Sequence, residues 1–150
     1  MSAADALSEF SSASADDLGL LLAGAARALN EEVFRRLANL GETVVRPAHV
    51  PVFAGLKPEG SHITALAAQA GFSRQAMSAL VRDMDAAGYV RTEPDPADRR
   101  AILVLLTDRG AEFCLTAVRI SREVTEEWRA KLGADDLDHL LTQLRTLGSR

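Results

Sequence analysis

Arg74, Gln75, Ser78 and Arg82 recur at spacings that put them on one side of a helix, with Ala76, Met77, Leu80, Val81 and Met84 expected on the buried side. Their chemistry suits the reading of base edges. An arginine fork matches the two acceptors of guanine, a glutamine amide matches adenine, and a serine hydroxyl serves a base or a phosphate. A second polar group, Asp98, Arg99 and Arg100, follows a proline-punctuated stretch. Taken alone, the helix face is equally a solvated surface, and the acid with its arginines an exposed ion-pair set worth under about 1 kcal/mol. The elements that must hold the two groups decide between these readings.

At 150 residues and 47% apolar, the chain suits a single domain spanning 1–150, large enough to bury a core. In residues 16–40, Leu18, Leu21, Leu22, Ala25, Leu29, Val33, Leu37 and Leu40 recur every three or four positions, which predicts a long first helix with Gly41 past its end. Pro47 opens the next block, which is expected to carry Val50, Val52, Phe53 and Leu56 into the core while Pro51 kinks or loosens it. Pro58 and Gly60 punctuate a loop. Thr64 then caps a short helix closed by Gly71, and Ser73 caps a second that stops at Gly88. Two capped helices joined by so short a turn have the spacing of a helix-turn-helix. Residues 89–93 and 102–106 are β-prone and joined by a long polar tip, which makes a hairpin. Thr107 caps another long helix over 108–132, residues 133–136 make a turn, and Leu137, Leu140, Leu141, Leu144 and Leu147 stripe a last helix. The expected fold class is mainly α (α+β), a winged helix-turn-helix over 61–107 between long flanking helices.

Other chemistry finds little support. Cys114 is the only cysteine, which excludes an internal disulfide and a multi-cysteine zinc site. His49, His62 and His139 lie far apart without metal-ligand spacing, so neither a metal nor a cofactor is expected. A nucleophile motif, a phosphate loop and a clustered acid and base are all missing, so the chain is not read as an enzyme. The formal charge of −4 argues against a polycation that coats nucleic acid, but not against a reader with a few arginines on one face. Indeed Arg74, Arg82, Arg91, Arg99, Arg100 and Arg109 are matched one for one by Asp83, Asp85, Glu93, Asp95, Asp98 and Asp108. Affinity would have to come from the placement of charge and from the pairing of two copies. No apolar run approaches the ~20 residues of a membrane helix, so no membrane partner is expected. Residues 1–17 lack the basic start and apolar middle of a secretory signal and read as the frayed tail of a cytoplasmic protein.

The order of the helix pair, then Gly88-Tyr89-Val90-Arg91, then Asp95-Pro96-Ala97-Asp98-Arg99-Arg100, then Leu106-Thr107-Asp108-Arg109-Gly110 resembles the MarR family of multiple-antibiotic-resistance regulators. The resemblance covers nearly the whole chain, and the tip with its following Leu-Thr-x-x-Gly is its most specific part. It implies a homodimer that regulates transcription, as a repressor, from a pseudo-palindromic operator in double-stranded DNA. It also implies that Arg100 enters the minor groove while Asp98 steadies the tip, with Arg99 toward phosphate. A narrow minor groove concentrates negative potential, and a stiff loop presents an arginine there at little ordering cost. The candidate DNA contacts are therefore Thr64, Ser73, Arg74, Gln75, Ser78, Arg82, Asp98, Arg99 and Arg100.

The flanking helices, 16–40 and 108–147, expose more apolar surface than one small core can cover, and symmetric pairing would cover it through Leu18, Leu22, Leu137, Leu140, Leu141 and Leu144. The family resemblance implies a small aromatic or anionic effector in a cleft between these helices and the DNA-binding lobe, with Arg46, His49 and Phe53 as candidates. Two other readings stand beside this one. The winged helix could be a protein-interaction module that does not bind DNA, although its polar face lacks the aromatic or aliphatic anchor such an interface prefers. Cys114 could sense oxidants, although its place between Phe113 and Leu115 suits a packed thiol.

Overall fold

The computed structural model describes residues 2–148. The expected frayed tail is a helix, α1 (Ala3–Ser14). Ser2 Oγ accepts the Asp5 N–H at 3.1 Å and the Asp5 carboxylate accepts the Ser2 N–H at 2.8 Å. This reciprocal cap satisfies donors that otherwise fray a helix start. None of the residues of α1 is buried.

In α2 (Leu18–Asn39), Asp17 accepts the Leu20 N–H at the cap, and the C-terminal part of the stripe enters the core through Val33 and Leu37. Arg36 joins Glu32 on its own helix, at 2.6 Å, to Glu127 at 2.7 Å. The guanidiniums of Arg35 and Arg36 hold the Glu32 carboxyl down at about 2. After Gly41 the chain makes a 3-10 turn, Pro47–His49, and then α3 (Val50–Gly55). The expected kink at Pro51 does not occur. Pro51 falls in the first turn of a new helix, where a missing N–H leaves no bond unmade. Val52 is fully buried and Phe53 and Leu56 pack on the core, but Val50 faces outward.

The winged unit comprises β1 (Ser61–His62), α4 (Ile63–Ala70), α5 (Arg74–Ala86), β2 (Val90–Pro94) and β3 (Ile102–Leu106). Its antiparallel sheet has the order β1-β3-β2, with His62 and Glu93 on either side of Leu103. The two-residue β1 moves the start of α4: His62 is the residue before the helix, and Thr64 lies inside the first turn instead of capping it. At the other end of α4, Gly71 takes a left-handed conformation (φ 68°) that reverses the chain toward Ser73, whose hydroxyl caps α5 by accepting the Ala76 N–H. Met77, Val81 and Met84 are buried as expected, with Leu80 half-buried, but Ala76 is exposed. It lies about 100° around the helix from Met77, outside the core-facing arc.

Thr107 caps α6 (Asp108–Leu132), which lies along α2. In place of the turn expected over 133–136, Gly133 alone breaks the helix, and α7 (Ala134–Gly148) starts at once. Arg129 holds that corner, donating to the Ala134 carbonyl at 3.2 Å and pairing with Asp138 at 2.8 Å. The core runs between the flanking helices and the winged unit and includes an aromatic trio of Phe53, Tyr89 and Phe113 with ring centroids 5.2 to 6.3 Å apart. Among the described residues, no helix is long and apolar enough to cross a membrane.

Candidate nucleic-acid interface

Arg74, Gln75 and Arg82 stand on the exposed side of α5, and half-buried Ser78 returns its hydroxyl to the Arg74 carbonyl at 2.8 Å. Ser73 stays engaged at the cap. Next to the start of α5, a hollow brings Arg74 together with Thr64 of α4 and with Asp98 and Arg100 of the hairpin tip. Four of the candidates, Thr64, Arg74, Asp98 and Arg100, thus share one concavity, and Gln75, Ser78 and Arg82 are not among its walls. Arg99 lies apart, against Pro94, Asp95 and Pro96.

The tip is tied by backbone acceptors. The Asp98 carboxylate accepts the Arg100 N–H at 3.0 Å, and its carbonyl accepts the Ala101 N–H at 2.8 Å. Asp98 therefore organises the main chain and takes no arginine side chain. Asp95, which was not among the expected site residues, does as much: its carboxylate accepts the Ala97 N–H at 2.7 Å and meets His62 Nε2 at 2.6 Å. The Ala97 N–H, with His62 after it, holds the Asp95 carboxyl below the usual aspartate range. An aspartate bonding two residues ahead is a local turn habit, legible in Asp-Pro-x. The His62 partnership had no local signal.

Of the acids that balance the arginines in number, only Glu93 forms an ion pair with one of them. Asp83 lies 3.6 Å from His49, Asp85 accepts from Thr92 at 2.6 Å, Glu93 takes Arg91, and Asp108 sits at the positive N-terminal end of α6. Arg109 donates to the Ala87 carbonyl at 2.9 Å and lies 4.4 Å over the Tyr89 ring. Among the described residues, Arg74, Arg82, Arg99 and Arg100 are left without an ion pair. Guanidiniums free of ion pairs, two of them (Arg74 and Arg100) on one hollow, can bind phosphates and base edges without first breaking an internal bond.

The Leu-Thr-x-x-Gly segment is the bolt at the base of the hairpin. The Thr107 hydroxyl donates to the Gly88 and Tyr89 carbonyls at 2.7 and 2.9 Å while accepting the Gly110 N–H at 3.0 Å. Gly110 comes so close to this strand that a Cβ there would stand 2.0 Å from the Tyr89 carbonyl oxygen.

Comparison with known proteins agrees with this fold. Residues 45–101, which run from the 3-10 turn through the helix pair to the hairpin tip, match the MarR family. Over that segment the chain is similar to the MarR family. Among curated relatives, the transcriptional regulator HosA of Escherichia coli O111:H- is 26% identical over 104 residues, which cover 69% of this chain and 77% of that protein. The fold is also that of wild-type MarR from E. coli in its apo form, with a TM-score of 0.72 at 19% identity over 89% of this chain and 98% of that one. CouR from Rhodococcus jostii RHA1 bound to p-coumaroyl-CoA aligns with a TM-score of 0.70 at 21% identity, over 89% of this chain and 93% of that one. CouR bound to a 23-mer DNA duplex aligns at 0.69 and 24% identity, over 90% of this chain and 94% of that one.

In this chain the expected effector residues divide between two places. Phe53 lines an apolar cleft of about 410 Å³ between α2, α3 and α6, with Leu29, Val33, Phe113 and Cys114 among its other walls. Arg46 and His49 line a different, polar hollow beside Asp83 at the end of α5. His49 is buried, and its Nδ1 accepts the Arg46 N–H at 3.0 Å. Burial pushes the Cys114 thiol up, which suppresses the thiolate that oxidant chemistry needs. Of the leucines expected at a dimer contact, Leu18, Leu22, Leu140 and Leu144 are exposed, Leu141 is half-buried, and Leu137 is already buried within the protomer.

Proposed function

We propose that this MarR-family transcriptional regulator works in the cytoplasm as a homodimer on a pseudo-palindromic operator. It represses transcription there, and a small effector releases it. The observation that carries the DNA reading is the set of four arginines, Arg74, Arg82, Arg99 and Arg100, left unpaired on the helix-turn-helix and hairpin while nearby acids serve the scaffold. In this reading residues 61–107 are the DNA-binding lobe of a single domain, with α5 in the major groove, Thr64, Ser73 and Arg99 toward phosphate, and Arg100 in the minor groove. CouR on a DNA duplex supports the assignment through its shared fold.

Titration of alanine variants tests it. Arg74→Ala or Gln75→Ala is expected to lose roughly 1–3 kcal/mol at a selected duplex and to relax preference at particular base pairs. Arg99→Ala should weaken selected and scrambled duplexes alike and lower the salt slope by about one unit. Arg100→Ala should lose most on A/T-rich flanks. Variants that bind like the parent at every salt concentration would remove these side chains from the interface.

The dimer reading rests on exposed apolar residues of α2 and α7, among them Leu18 at 62% and Leu140 at 40% exposure, continued by Leu22, Leu144 and half-buried Leu141. Because Leu140 and Leu144 are exposed in the protomer, replacing both by glutamate should give folded monomers with weak operator binding. Sedimentation of a folded double variant that is still dimeric would sink this interface. The apolar cleft around Phe53 has the size and lining of a small-molecule site and suits an aromatic effector. Arg46 and His49 offer donors to an anionic one.

A further inference from the structure

We propose that His62 is a positioning residue for the hairpin tip, acting through Asp95 to fix where Arg100 is presented; this rests on the DNA-reading function above. His62 ends β1 and pairs with Leu103 of β3, which on its other side pairs with Glu93 of β2. Paired side chains share a face and alternate along a strand. His62, Leu103 and Glu93 therefore share one face, and Asp95, two residues beyond Glu93, returns to it. From there the imidazole reaches diagonally over β3, and Nε2 meets Asp95 Oδ2 at 2.6 Å.

Asp95 is the first residue of the tip, and the remaining ties follow from it in series. Its carboxylate holds the Ala97 N–H, its own N–H donates to the Ala101 carbonyl at 3.0 Å, Ala101 returns to the Asp98 carbonyl, and Asp98 holds the Arg100 N–H. The sheet ladder ends at the Pro94–Ile102 pair, so beyond it these bonds and the His62 contact alone fix the tip's direction. His62 faces Asp95 directly and shares its hollow with Asp98 and Arg100 of the tip, Arg74 of α5, and Thr64. This placement has a second effect. An unsatisfied Asp95 carboxylate would be free to capture a neighbouring guanidinium, and by occupying it His62 keeps the arginines available to a ligand.

His62 side-chain exposure is 45%, so removing the imidazole leaves the core intact. The probes are a duplex that the parent protein selects from random DNA and a version with G/C-rich flanks. His62→Ala is expected to weaken binding to the A/T-flanked duplex about three- to five-fold, the range of a partly exposed ion pair. In the His62→Ala, Arg100→Ala double variant the loss should not exceed that of Arg100→Ala alone, since the first change acts through the second residue. His62→Gln, whose amide nitrogen can stand where Nε2 stands, should restore most of the affinity. In the unbound protein, amide hydrogen exchange at Ala97, Arg100 and Ala101 should quicken in His62→Ala and return toward the parent rate in His62→Gln. Unchanged exchange in His62→Ala, or additive losses in the double variant, overturns the clamp and leaves the DNA reading standing. A parent that selects no duplex overturns the DNA reading, and the proposed role of His62 with it.

Discussion

Gly110→Ala is expected to destabilise the protein by about 3–5 kcal/mol, as large as single substitutions usually reach. The added Cβ would lie 2.0 Å from the Tyr89 carbonyl oxygen and 2.7 Å from Leu106 Cδ1. The first obstacle is backbone, and that backbone is pinned by Thr107 through both its N–H and its hydroxyl. Relief would require the start of α6 to leave the sheet, breaking the threonine cap and disturbing the aromatic trio around Tyr89. Gly24 is the internal control. It lies within α2 with nothing inside 4 Å of its added Cβ, so Gly24→Ala should be neutral or stabilising by up to about 1 kcal/mol. Urea unfolding of both variants gives the comparison, and a Gly110→Ala midpoint equal to the parent's would mean that this close approach does not exist in solution.

Inserting half a helical turn between the two halves of a selected operator is expected to lower affinity by about 10²–10⁴, the gain that linked binding confers. In the proposed dimer, two α5 helices related by a two-fold axis meet major grooves on one face of the duplex, ~34–36 Å apart. Half a turn moves the second half-site to the opposite face, while a full turn restores the face at a longer distance. Only one protomer could then engage. Because the arginines and acids of the winged unit balance in number, a single engaged unit has few phosphate contacts to fall back on. Gel-shift titrations with zero, half-turn and full-turn insertions are the measurement; indifference to the half-turn insertion would exclude rigid two-fold reading.

The parts of this protein that were legible in its sequence are those set by near neighbours. Ser73 and Thr107 cap helices within three residues of themselves, Gly71 needs only its own backbone, and the buried arc of α5 follows from helical periodicity. Some misreadings arose where distant chain decides, others where a local signal was passed over. Thr64 looked like a cap because β1, which pairs with residues near 103, cannot be recognised in two residues. Pro51 looked like a kink because nothing nearby announced a new helix at Val50. Residues 1–17 looked loose because their composition is polar, although Ser2 and Asp5 carried the reciprocal cap. Arg46 and His49 stand only a few positions from Phe53, yet the turn into α3 sends them to another hollow. The His62–Asp95 contact spans 33 residues and crosses a strand, a distance at which spacing carries no information.

Under the proposed DNA reading, the unequal distribution of charge also bears on how the protein and DNA would find each other. At physiological ionic strength the screening length is about 8 Å, so an approaching duplex would sense chiefly the charges nearest to it, Arg74, Arg82, Arg99 and Arg100 among them. At about 0.01 M salt that length grows to about 30 Å, enough for the duplex to feel the net charge of −4 carried by each chain. Attraction at short range is then opposed by repulsion at long range. Diluting the salt, which ordinarily speeds the capture of DNA by a basic protein, is expected to gain progressively less here, with encounter rates levelling off where those of a uniformly basic binder would continue to climb.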